Sequence, residues 1–517
     1  MDERFAAAWQ VLPEYLGEHV VLSASALALG LVLSLVLTVA AVRSPRVRWP
    51  VLLLASLVQT IPGLALLALF YPLLLALSAL SQRLLGHGFS ALGFLPSLLA
   101  LALYSMLPVI RNGVTGILNL DPALIEAARG VGMTDWQRLK RVELPLAAPM
   151  LMAGVRTAAV WVIGAATLST PVGQTSLGNY IFSGLQVQNW VSVLFGCIAA
   201  AALAFIVDQL LGLIESGVTT RRRTRIAIGA LALAAGVAAA AVPRSDSAAG
   251  SYVIGAKNFS EQFILSALMV DRIAEEGGAA SRRVGLGSAI AFNALAAGDI
   301  DAYVDYSGTI WANVMRRTDV LPREVMLREM AEWLAHEHGI VLLGALGFEN
   351  AYALAMRRDR AEQLEIQTIA DLAARSRQLT MGSDLEFFVR PEWPALRDAY
   401  GLDFAARREF QSTFMYQAVA TGEVDVISAF SSDGRIATND LVVLDDPRGA
   451  ILPYDAVILI SAARANDPLL RAALVPLVGA ISVQVMREAN YRVDRDAGES
   501  PVASARWLAE RVLKRTQ

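Results

Sequence analysis

Six residues in the C-terminal half of the chain have side chains suited to binding a small charged molecule. They are the aromatic residues Tyr306, Tyr352, Phe430 and Tyr454 and the basic residues Lys257 and Arg390. Aromatic ring faces attract a cation that cannot donate hydrogen bonds, and each face contributes ~0.5–2 kcal/mol when water is excluded. Arginine grips a carboxylate at two points, and lysine adds a second positive charge. Together these residue types would bind a zwitterion with a bulky cationic end and a carboxylate end.

The same residues also have structural explanations that the sequence leaves open. A tyrosine near a strand end often packs in a core, and Lys257 and Arg390 are compatible with a solvated surface. Ser431, Ser432 and Asp433 suggest a different chemistry, that of a hydroxyl nucleophile. No histidine lies near them in sequence and no G-x-S-x-G motif surrounds them, so an enzyme is not expected.

Metal ions and cofactors are not expected either. Among the four histidines, only His336 and His338 have a spacing that resembles metal ligands, and side chains two residues apart on a helix point in different directions. The single cysteine, Cys197, cannot form an internal disulfide or a multi-cysteine site. His336 stays open as a partner for the serine hydroxyls if the fold brings them together.

The binding residues lie at the ends of segments that alternate between strand and helix patterns. The helical pattern is Phe259–Ile273, and the strand candidates are Tyr252–Gly255, Ala302–Tyr306, Ala351–Ala355, Val424–Ala429 and Ala456–Ile460. This alternation predicts α/β layers with largely parallel sheets. Ligands in such folds bind beyond the carboxyl ends of the strands, so we expect these residues to meet in one cleft.

Composition divides the chain into a membrane part and a soluble part. The 517 residues are 55% hydrophobic and 18% charged, whereas about a quarter of a soluble chain is charged. Apolar runs extend to about residue 242, a polar linker occupies residues 243–251, and residues 252–517 have mixed polarity. The net charge of −3 and the lack of a basic patch argue against a nucleic-acid partner.

The membrane part predicts about six transmembrane helices of ~20 residues each. We place them near residues 20–42, 51–80, 90–110, 149–171, 191–215 and 226–242. The second contains Pro62-Gly63 and Pro72 and is therefore expected to be broken or kinked. The expected fold class is an all-α transmembrane bundle joined to an α/β domain.

Positive charge predicts the orientation of these spans. Basic residues follow the first, third and fifth spans: Arg43, Arg46 and Arg48; Arg129, Arg138, Lys140 and Arg141; Arg221–Arg223 and Arg225. The opposite loops contain only Arg83 and, in residues 172–190, no lysine or arginine. The basic loops are thus placed in the cytoplasm, and residues 252–517 outside it. Residues 221–242 also resemble a signal peptide, and we expect the segment to be retained as an anchor.

One cytoplasmic loop, DPALIEAARGVGMTDWQRLKRVELPLAAP at residues 121–149, has the pattern of a docking element. Its residues predict two short helices bounded by glycines and prolines: Asp121 to Gly130 or Gly132, and a second capped by Asp135 that runs to Lys140, with Pro145 and Pro149 beyond. Such helices on the cytoplasmic face would offer a surface to a soluble partner.

This loop resembles the signature of the permease subunits of ABC importers. The signature has Glu-Ala-Ala, three residues, Gly, nine residues, Ile, one residue and Leu-Pro; the matching residues are Glu126, Ala127, Ala128, Gly132, Leu144 and Pro145, with Val142 for the isoleucine. The resemblance implies a loop that inserts into a cytoplasmic ATPase and a permease homodimer in a bacterial inner membrane. The chain has no G-x-x-x-x-G-K-[ST] phosphate loop, so ATP hydrolysis is expected on a separate subunit.

The C-terminal domain is similar to the binding proteins of osmoprotectant uptake systems. The similarity lies in KNFSEQFIL (257–265), DAYVDYSGT (301–309), GFENAYAL (347–354), MYQAVATGEVDVISAFSSDGRI (415–436) and LPYDA (452–456). It implies a periplasmic-binding-protein-like domain with two lobes that close over a ligand, the second lobe at roughly residues 350–432. It also implies a cage of Tyr306, Tyr352, Phe430 and Tyr454, carboxylate contacts from Lys257 and Arg390, and polar contacts from Thr309 and Asn350.

The resemblance implies uptake of a quaternary-ammonium solute such as glycine betaine, choline, carnitine or proline betaine. Glu349 departs from the family pattern, in which a neutral residue is expected. Its carboxylate either faces solvent or bonds the ring N–H groups of a larger ligand, so import of ergothioneine is the alternative. A transmembrane sensor is a more remote alternative, because the chain has a docking loop but no signalling domain.

Overall fold

The structure, a computed structural model, describes residues 3–513 except 87, 88, 90, 92, 187, 188, 243–251, 318, 320, 391, 496 and 497. The chain divides into two compact units, Met1–Phe182 with Val191–Arg244, and Ser245–Gln517 with Ser183–Trp190. The expected linker, residues 243–251, lies outside the described residues.

The first unit is built from helices. They are α1 Glu3–Arg43, α2 Pro45–Thr60, α3 Gly63–Leu85, α4 Phe94–Leu118, α5 Pro122–Gly130, α6 Asp135–Arg138, α7 Leu144–Ala166, α8 Gly178–Gln186, α9 Trp190–Thr219 and α10 Arg223–Ala240. Six stretches of the described residues are long and apolar enough to cross a membrane: Ala8–Arg43, Gly63–Leu85, Phe94–Leu118, Asp135–Val172, Trp190–Thr219 and Arg223–Ala240. The predicted number of spans is therefore confirmed.

The predicted second span, residues 51–80, is two helices rather than one. Helices α2 and α3 are separated at Ile61 and Pro62, where Ile61 is extended with φ −75° and ψ 127°. A proline pushes the preceding residue out of the helical region, which explains the break. The 16 residues of α2 are fewer than the ~20 that a span needs, whereas α3 with its internal Pro72 is 23 residues long.

Helix α4 lies at the centre of the first unit and packs against α1, α2, α3 and α7. Glycines allow close approach between these helices. A Cβ at Gly154 of α7 would lie 2.7 Å from the backbone oxygen of Pro108 in α4. Only a hydrogen atom fits there, because a backbone oxygen cannot rotate aside as a side chain can.

Charged side chains within the apolar spans are paired with one another. Arg156 of α7 donates to both carboxylate oxygens of Asp208 at 3.0 and 2.8 Å and to Glu215 at 2.8 Å. Both acids lie on α9. An unpaired ion is expensive in hydrocarbon, so this trio neutralises most of its charge and ties α7 to α9.

The loop after α4 begins as predicted but its second cap differs. Asp121 caps α5 and accepts from the Ala123 N–H at 2.9 Å. The assignment of Asp135 as the second cap was wrong: Thr134 caps α6 through a capping box with Gln137. The threonine hydroxyl accepts the Gln137 N–H while the glutamine side chain accepts the Thr134 N–H, which satisfies two free donors at once.

The second loop helix does not stop near Lys140 as predicted. A π-helical turn, Leu139–Glu143, joins α6 to α7 without a break. The Leu144 N–H donates to the Leu139 oxygen, five residues back. Pro145 follows in the first turn of α7, where its missing N–H leaves no donor unpaired. The prolines therefore lie within a continuous helix instead of bounding one.

The second unit contains ten strands in two five-stranded sheets. The strands are β1 Tyr252–Lys257, β2 Ala280–Leu286, β3 Ala302–Tyr306, β4 Val341–Glu349, β5 Tyr352–Arg357, β6 Thr380–Asp384, β7 Ala406–Phe410, β8 Val426–Phe430, β9 Leu441–Val443 and β10 Asp455–Ile460. The helices are α11 Ser260–Glu275, α12 Ser288–Ala297, α13 Ser307–Thr309, α14 Arg323–His338, α15 Arg358–Leu364, α16 Ile369–Arg375, α17 Glu392–Tyr400, α18 Ser412–Ala420, α19 Arg435–Thr438, α20 Pro468–Leu474, α21 Val483–Asp494 and α22 Pro501–Leu513.

The sheets are mixed, not largely parallel as expected. The first has the order β2-β1-β3-β10-β4 and the second β7-β6-β8-β5-β9. Strand β10 is antiparallel to β3 and β4, and β5 is antiparallel to β8 and β9. The chain crosses from the first sheet to the second between β4 and β5, and returns between β9 and β10. The second lobe consequently extends to Val443, beyond the limit of about 432, because β9 pairs with β5.

Substitution of Gly154 by alanine should destabilise the first unit, because the added Cβ meets the Pro108 oxygen. Overpacking of this kind costs about 1–3 kcal/mol, which we expect to lower the unfolding temperature of the full chain in nanodiscs by several degrees. Gly164→Ala on the same helix is the control, since nothing lies within 4 Å of its Cβ position. Equal unfolding temperatures for the two variants would contradict the packing argument.

Candidate functional site

A cleft of about 190 Å³ lies between the two sheets of the second unit. Eight of the nine residues predicted to bind a ligand line it: Lys257, Tyr306, Thr309, Asn350, Tyr352, Arg390, Phe430 and Tyr454. Residues far apart in sequence meet here because strand ends of both sheets face the same space. The ninth, Glu349, does not line the cleft.

The antiparallel strands explain how residues at strand beginnings join residues at strand ends. Tyr352 opens β5 and pairs in register with Phe430, the last residue of β8. Tyr454 directly precedes β10, in which Ala456 pairs with Tyr306 at the end of β3. A strand that runs against its neighbour brings its first residue to the neighbour's last. All four aromatic residues are thereby brought to one edge.

Three of these rings form a connected aromatic group. The Tyr352 and Phe430 ring centroids are 4.9 Å apart with the planes tilted by 40°. Tyr352 and Tyr454 are 6.1 Å apart and meet edge to face at 89°. Tyr306 lines the cleft from the end of β3 and stacks on Phe259 at 6.1 Å. Rings at these mutual angles present their faces to a shared volume from several directions.

Tyr454 occupies its position because Gly308 leaves room for it. A Cβ at Gly308 would lie 2.6 Å from two carbons of the Tyr454 ring. The tyrosine hydroxyl is held from the other side by Arg390, which donates to it at 3.2 Å. Ring and glycine are thus matched in shape across the junction between β3 and β10.

The two predicted basic residues are buried and already have acidic partners. Lys257 forms an ion pair with Asp305, and its ammonium lies 5.2 Å from the Tyr306 ring centroid. Arg390 contacts Glu386 at 3.1 Å and Glu392 at 3.3 Å, and lies 5.3 Å from the Tyr352 ring centroid. A buried charge needs such a partner. Glu386 is the replaceable one, because its side chain is 57% exposed while that of Glu392 is 1% exposed.

Glu349 faces away from the cleft, contrary to the interpretation that its carboxylate meets a ligand. It pairs with Arg323 at 2.9 Å, and both side chains are substantially exposed. Successive residues along an extended chain point to opposite sides. Asn350 consequently lines the cleft while its neighbour Glu349 faces solvent.

The sequence analysis missed Glu261, which is buried at the start of α11 and lines the cleft. Its carboxylate accepts four hydrogen bonds: from the Tyr306 and Ser432 hydroxyls at 2.6 Å each, from the Asn490 amide at 2.9 Å and from the Asn350 amide at 3.1 Å. Burial raises the pKa of Glu261, and the four hydrogen bonds oppose that rise. The motif KNFSEQFIL contained this residue, but a glutamate in the first turn of a helix is usually a solvated surface residue.

A second buried charge cluster lies beside it. Asp433 and Arg435 pair at 2.6 Å, and Ser260 donates to Asp494 at 2.5 Å. Burial raises the pKa of Asp494 to about 7, while the positive charge of Arg435 opposes that rise. One guanidinium is thus shared between two carboxyl groups.

The structure does not unite the residues of the nucleophile interpretation. The Ser432 hydroxyl donates to Glu261, and Asp433 pairs with Arg435. His336 is on α14, where its exposed ring contacts Glu337 at 2.9 Å. In the part of the chain that the structure describes, neither serine has a histidine partner.

Two family models match the chain. Residues 250–510 match the substrate binding domain of the ABC-type glycine betaine transport system, and residues 27–220 match the inner membrane component of binding-protein-dependent transport systems. The chain belongs to this family. It is a permease fused to its substrate-binding domain, and such permeases are integral to the inner membrane.

Relatives match either the whole chain or one part of it. The ergothioneine transport permease/ergothioneine binding protein EgtU of Helicobacter pylori (strain G27) is 27% identical over 499 residues, which cover 93% of this chain and 87% of that protein. The glycine betaine/carnitine/choline transport system permease protein OpuCB of Bacillus subtilis (strain 168) is 38% identical over 205 residues, 40% of this chain and 87% of that protein. A solved glycine betaine/carnitine/choline ABC transporter structure is 27% identical, covers 50% of this chain and 98% of that one, and has a TM-score of 0.45.

Asp494 should make the second unit less stable as pH rises. Its pKa is about 7 when folded and about 3.9 when unfolded. Between these values the folded state holds a proton that the unfolded state has released, so its contribution to stability falls from about pH 4 to pH 7 and stays low above that. Asp494→Asn keeps an acceptor for Ser260 and has no charge to bury. We expect its advantage in unfolding temperature over wild type to grow by a few degrees between pH 5 and pH 8, measured by circular dichroism on the full chain. Parallel pH profiles would contradict this assignment.

Proposed function

We propose that residues 252–517 capture a small compound with a methylated quaternary ammonium group, and that residues 1–242 import it across the cytoplasmic membrane. The observation that carries this proposal is the set of aromatic rings in the cleft, Tyr306, Tyr352, Phe430 and Tyr454. A methylated ammonium donates no hydrogen bond, so ring faces are among the few protein surfaces that attract it strongly. We assign all eight predicted residues that line the cleft to the binding site.

The carboxylate end of a zwitterionic ligand would bind Arg390. Its guanidinium contacts Glu386, whose side chain is mostly exposed, at 3.1 Å. A ligand carboxylate can replace this glutamate without leaving an ion buried alone, since the displaced side chain turns to water. Lys257 is a weaker candidate because its partner Asp305 is fully buried and stays in place.

We further propose that the binding domain lies outside the cytoplasm and that the loop at residues 121–145 docks on a cytoplasmic ATPase subunit. The alternation of basic loops supports the first statement. Three large apolar side chains of the loop support the second, because Leu124, Val131 and Trp136 are 46%, 73% and 61% exposed. Exposed apolar side chains next to charged ones mark a protein contact. The permease would act as a homodimer, with residues 243–251 as the linker to the binding domain.

Ergothioneine is the second candidate ligand. One observation favours it: the relative that matches both parts of this chain is named for ergothioneine transport and binding. The alternative argument from Glu349 does not, because this side chain is paired with Arg323 outside the cleft. Ergothioneine also carries a trimethylammonium group and a carboxylate, so the same cage and arginine would serve it.

Calorimetry on the full chain in nanodiscs tests the proposed function. The ligands are glycine betaine, choline, carnitine, proline betaine and ergothioneine. We expect micromolar or tighter binding of at least one of them. A chain that binds none of the five would overturn the proposal.

The ring of Tyr454 should matter more to ligand affinity than its hydroxyl. Tyr454→Leu removes a ring face and should weaken binding at least tenfold, which corresponds to about 1.4 kcal/mol. Tyr454→Phe keeps the face and loses only the bond from Arg390, so we expect a change within about threefold. Titration calorimetry with the ligand that wild type binds compares the two variants. Equal losses would show that the ring face does not contact the cation.

The docking loop should be sensitive to Gly132 and tolerant at Gly130. Gly132 has φ +76°, a conformation that a β-branched residue adopts only with strain, whereas Gly130 is the last residue of α5. No atom lies within 4 Å of either Cβ position. Gly132→Val should therefore reduce uptake of radiolabelled ligand by proteoliposomes at least tenfold, and Gly130→Val much less. Ligand binding should be unchanged in both, and equal uptake would refute the role of the loop.

A further inference from the structure

Two buried amide oxygens in the cleft have no hydrogen-bond partner. They are the Oδ1 atoms of Asn350 and Asn490, which are unpaired among the described residues. Both asparagines line the cleft, and they are 8% and 2% exposed. Nearly all buried polar groups in proteins are paired, so two unpaired acceptors beside a ligand site point to a donor that the ligand brings.

The direction of the Asn490 amide is fixed by two acceptors. Its Nδ2 donates to Glu261 Oε2 at 2.9 Å and to the backbone oxygen of Ser432 at 2.8 Å. A backbone oxygen can only accept, so the amide nitrogen must face it. Rotation of the amide by half a turn would place Oδ1 against both oxygens. Asn490 is therefore bound to present Oδ1 as an acceptor.

The direction of the Asn350 amide follows from a chain of donors that ends at Glu261. The Lys257 backbone N–H donates to Gln262 Oε1 at 3.2 Å, so Gln262 Nε2 donates to the Tyr306 oxygen at 3.0 Å. The Tyr306 hydroxyl must then donate to Glu261 Oε1, which it does at 2.6 Å. That carboxylate accepts at both oxygens, so the Asn350 Nδ2 faces it at 3.1 Å. Its Oδ1 is left as a second acceptor.

We propose that Asn490 and Asn350 form a hydrogen-bond-accepting subsite, oriented by Glu261, which reads an N–H or O–H group of the ligand. The inference rests on the proposed function and narrows it. The ligand is a methylated ammonium compound that also carries a hydrogen-bond donor. Choline and carnitine have a hydroxyl, and ergothioneine has ring N–H groups. Glycine betaine and proline betaine have no donor besides a carboxyl group that is ionised at neutral pH.

Matched pairs of ligands that differ only in the donor test this subsite. The pairs are carnitine with γ-butyrobetaine, choline with propyltrimethylammonium, and ergothioneine with its derivative methylated on both ring nitrogens. Each keeps the cationic head and removes the N–H or O–H. By calorimetry on the full chain in nanodiscs, we expect the member with the donor to bind at least tenfold more tightly in at least one pair.

Three variants locate the effect. In Asn490→Ala or Asn350→Ala the preference for the donor should fall to within about twofold in at least one variant, because the acceptor is gone. Asn313→Ala is the control, since Asn313 is an exposed asparagine that does not line the cleft, and it should keep the full preference. Binding of the donor-free member to the same variant shows that the cage has folded.

The outcomes separate this inference from the proposed function. If both members of every pair bind equally to wild type, a water molecule satisfies the two oxygens and the subsite is wrong. A preference that survives both alanine variants would also overturn it. If no member of any pair binds, the proposed function is wrong and the subsite falls with it.

Discussion

The buried carboxylate of Glu261 imposes the constraint on which the arrangement of the cleft depends. A carboxylate removed from water must receive donors from the protein, or its burial costs several kcal/mol. Its four donors come from four places in the fold: the end of β3, the crossing between the sheets, the segment after β8, and α21. None of these segments can shift far without leaving a charge unpaired. Satisfaction of one side chain thus holds both lobes and the C-terminal helix in register around the ligand site.

The remaining charges in the cleft follow the same logic on a smaller scale. Each buried cation has an acid beside it: Lys257 has Asp305, and Arg435 has Asp433. Arg390 differs because one of its two acids, Glu386, is largely exposed. Pairing of buried charges gives little net stability but sets which groups remain available. The cleft therefore offers a ligand one exchangeable guanidinium and several ring faces instead of a field of free charges.

Local pattern predicted the elements of the binding domain, whereas long-range pairing supplied their directions. Strand β3, Ala302–Tyr306, has the bounds expected from the sequence, because a short apolar run between turn residues defines a strand by itself. The direction of β10 and β5 depends on which strands they join, and no local spacing encodes that. Glu349 was misplaced because it neighbours Asn350 in sequence, and Glu261 was missed because the burial of a carboxylate is settled only by its donors. In the first unit, hydropathy gave the number of spans, but the π-helical turn before Pro145 arose where proline normally predicts an end.

That turn has a mechanical consequence for the permease. Asp135–Val172 is one uninterrupted helical stretch of 38 residues, roughly 55–60 Å long at ~1.5 Å per residue. Its exposed start is part of the loop, and the rest is the span that packs on α4 and pairs with α9 through Arg156. A rod of this kind transmits a push along its axis with little loss, while the wider π-helical turn is its most compliant point. Displacement of the loop by a few ångströms would thus be delivered to the middle of the membrane as motion of a stiff lever with a single soft joint.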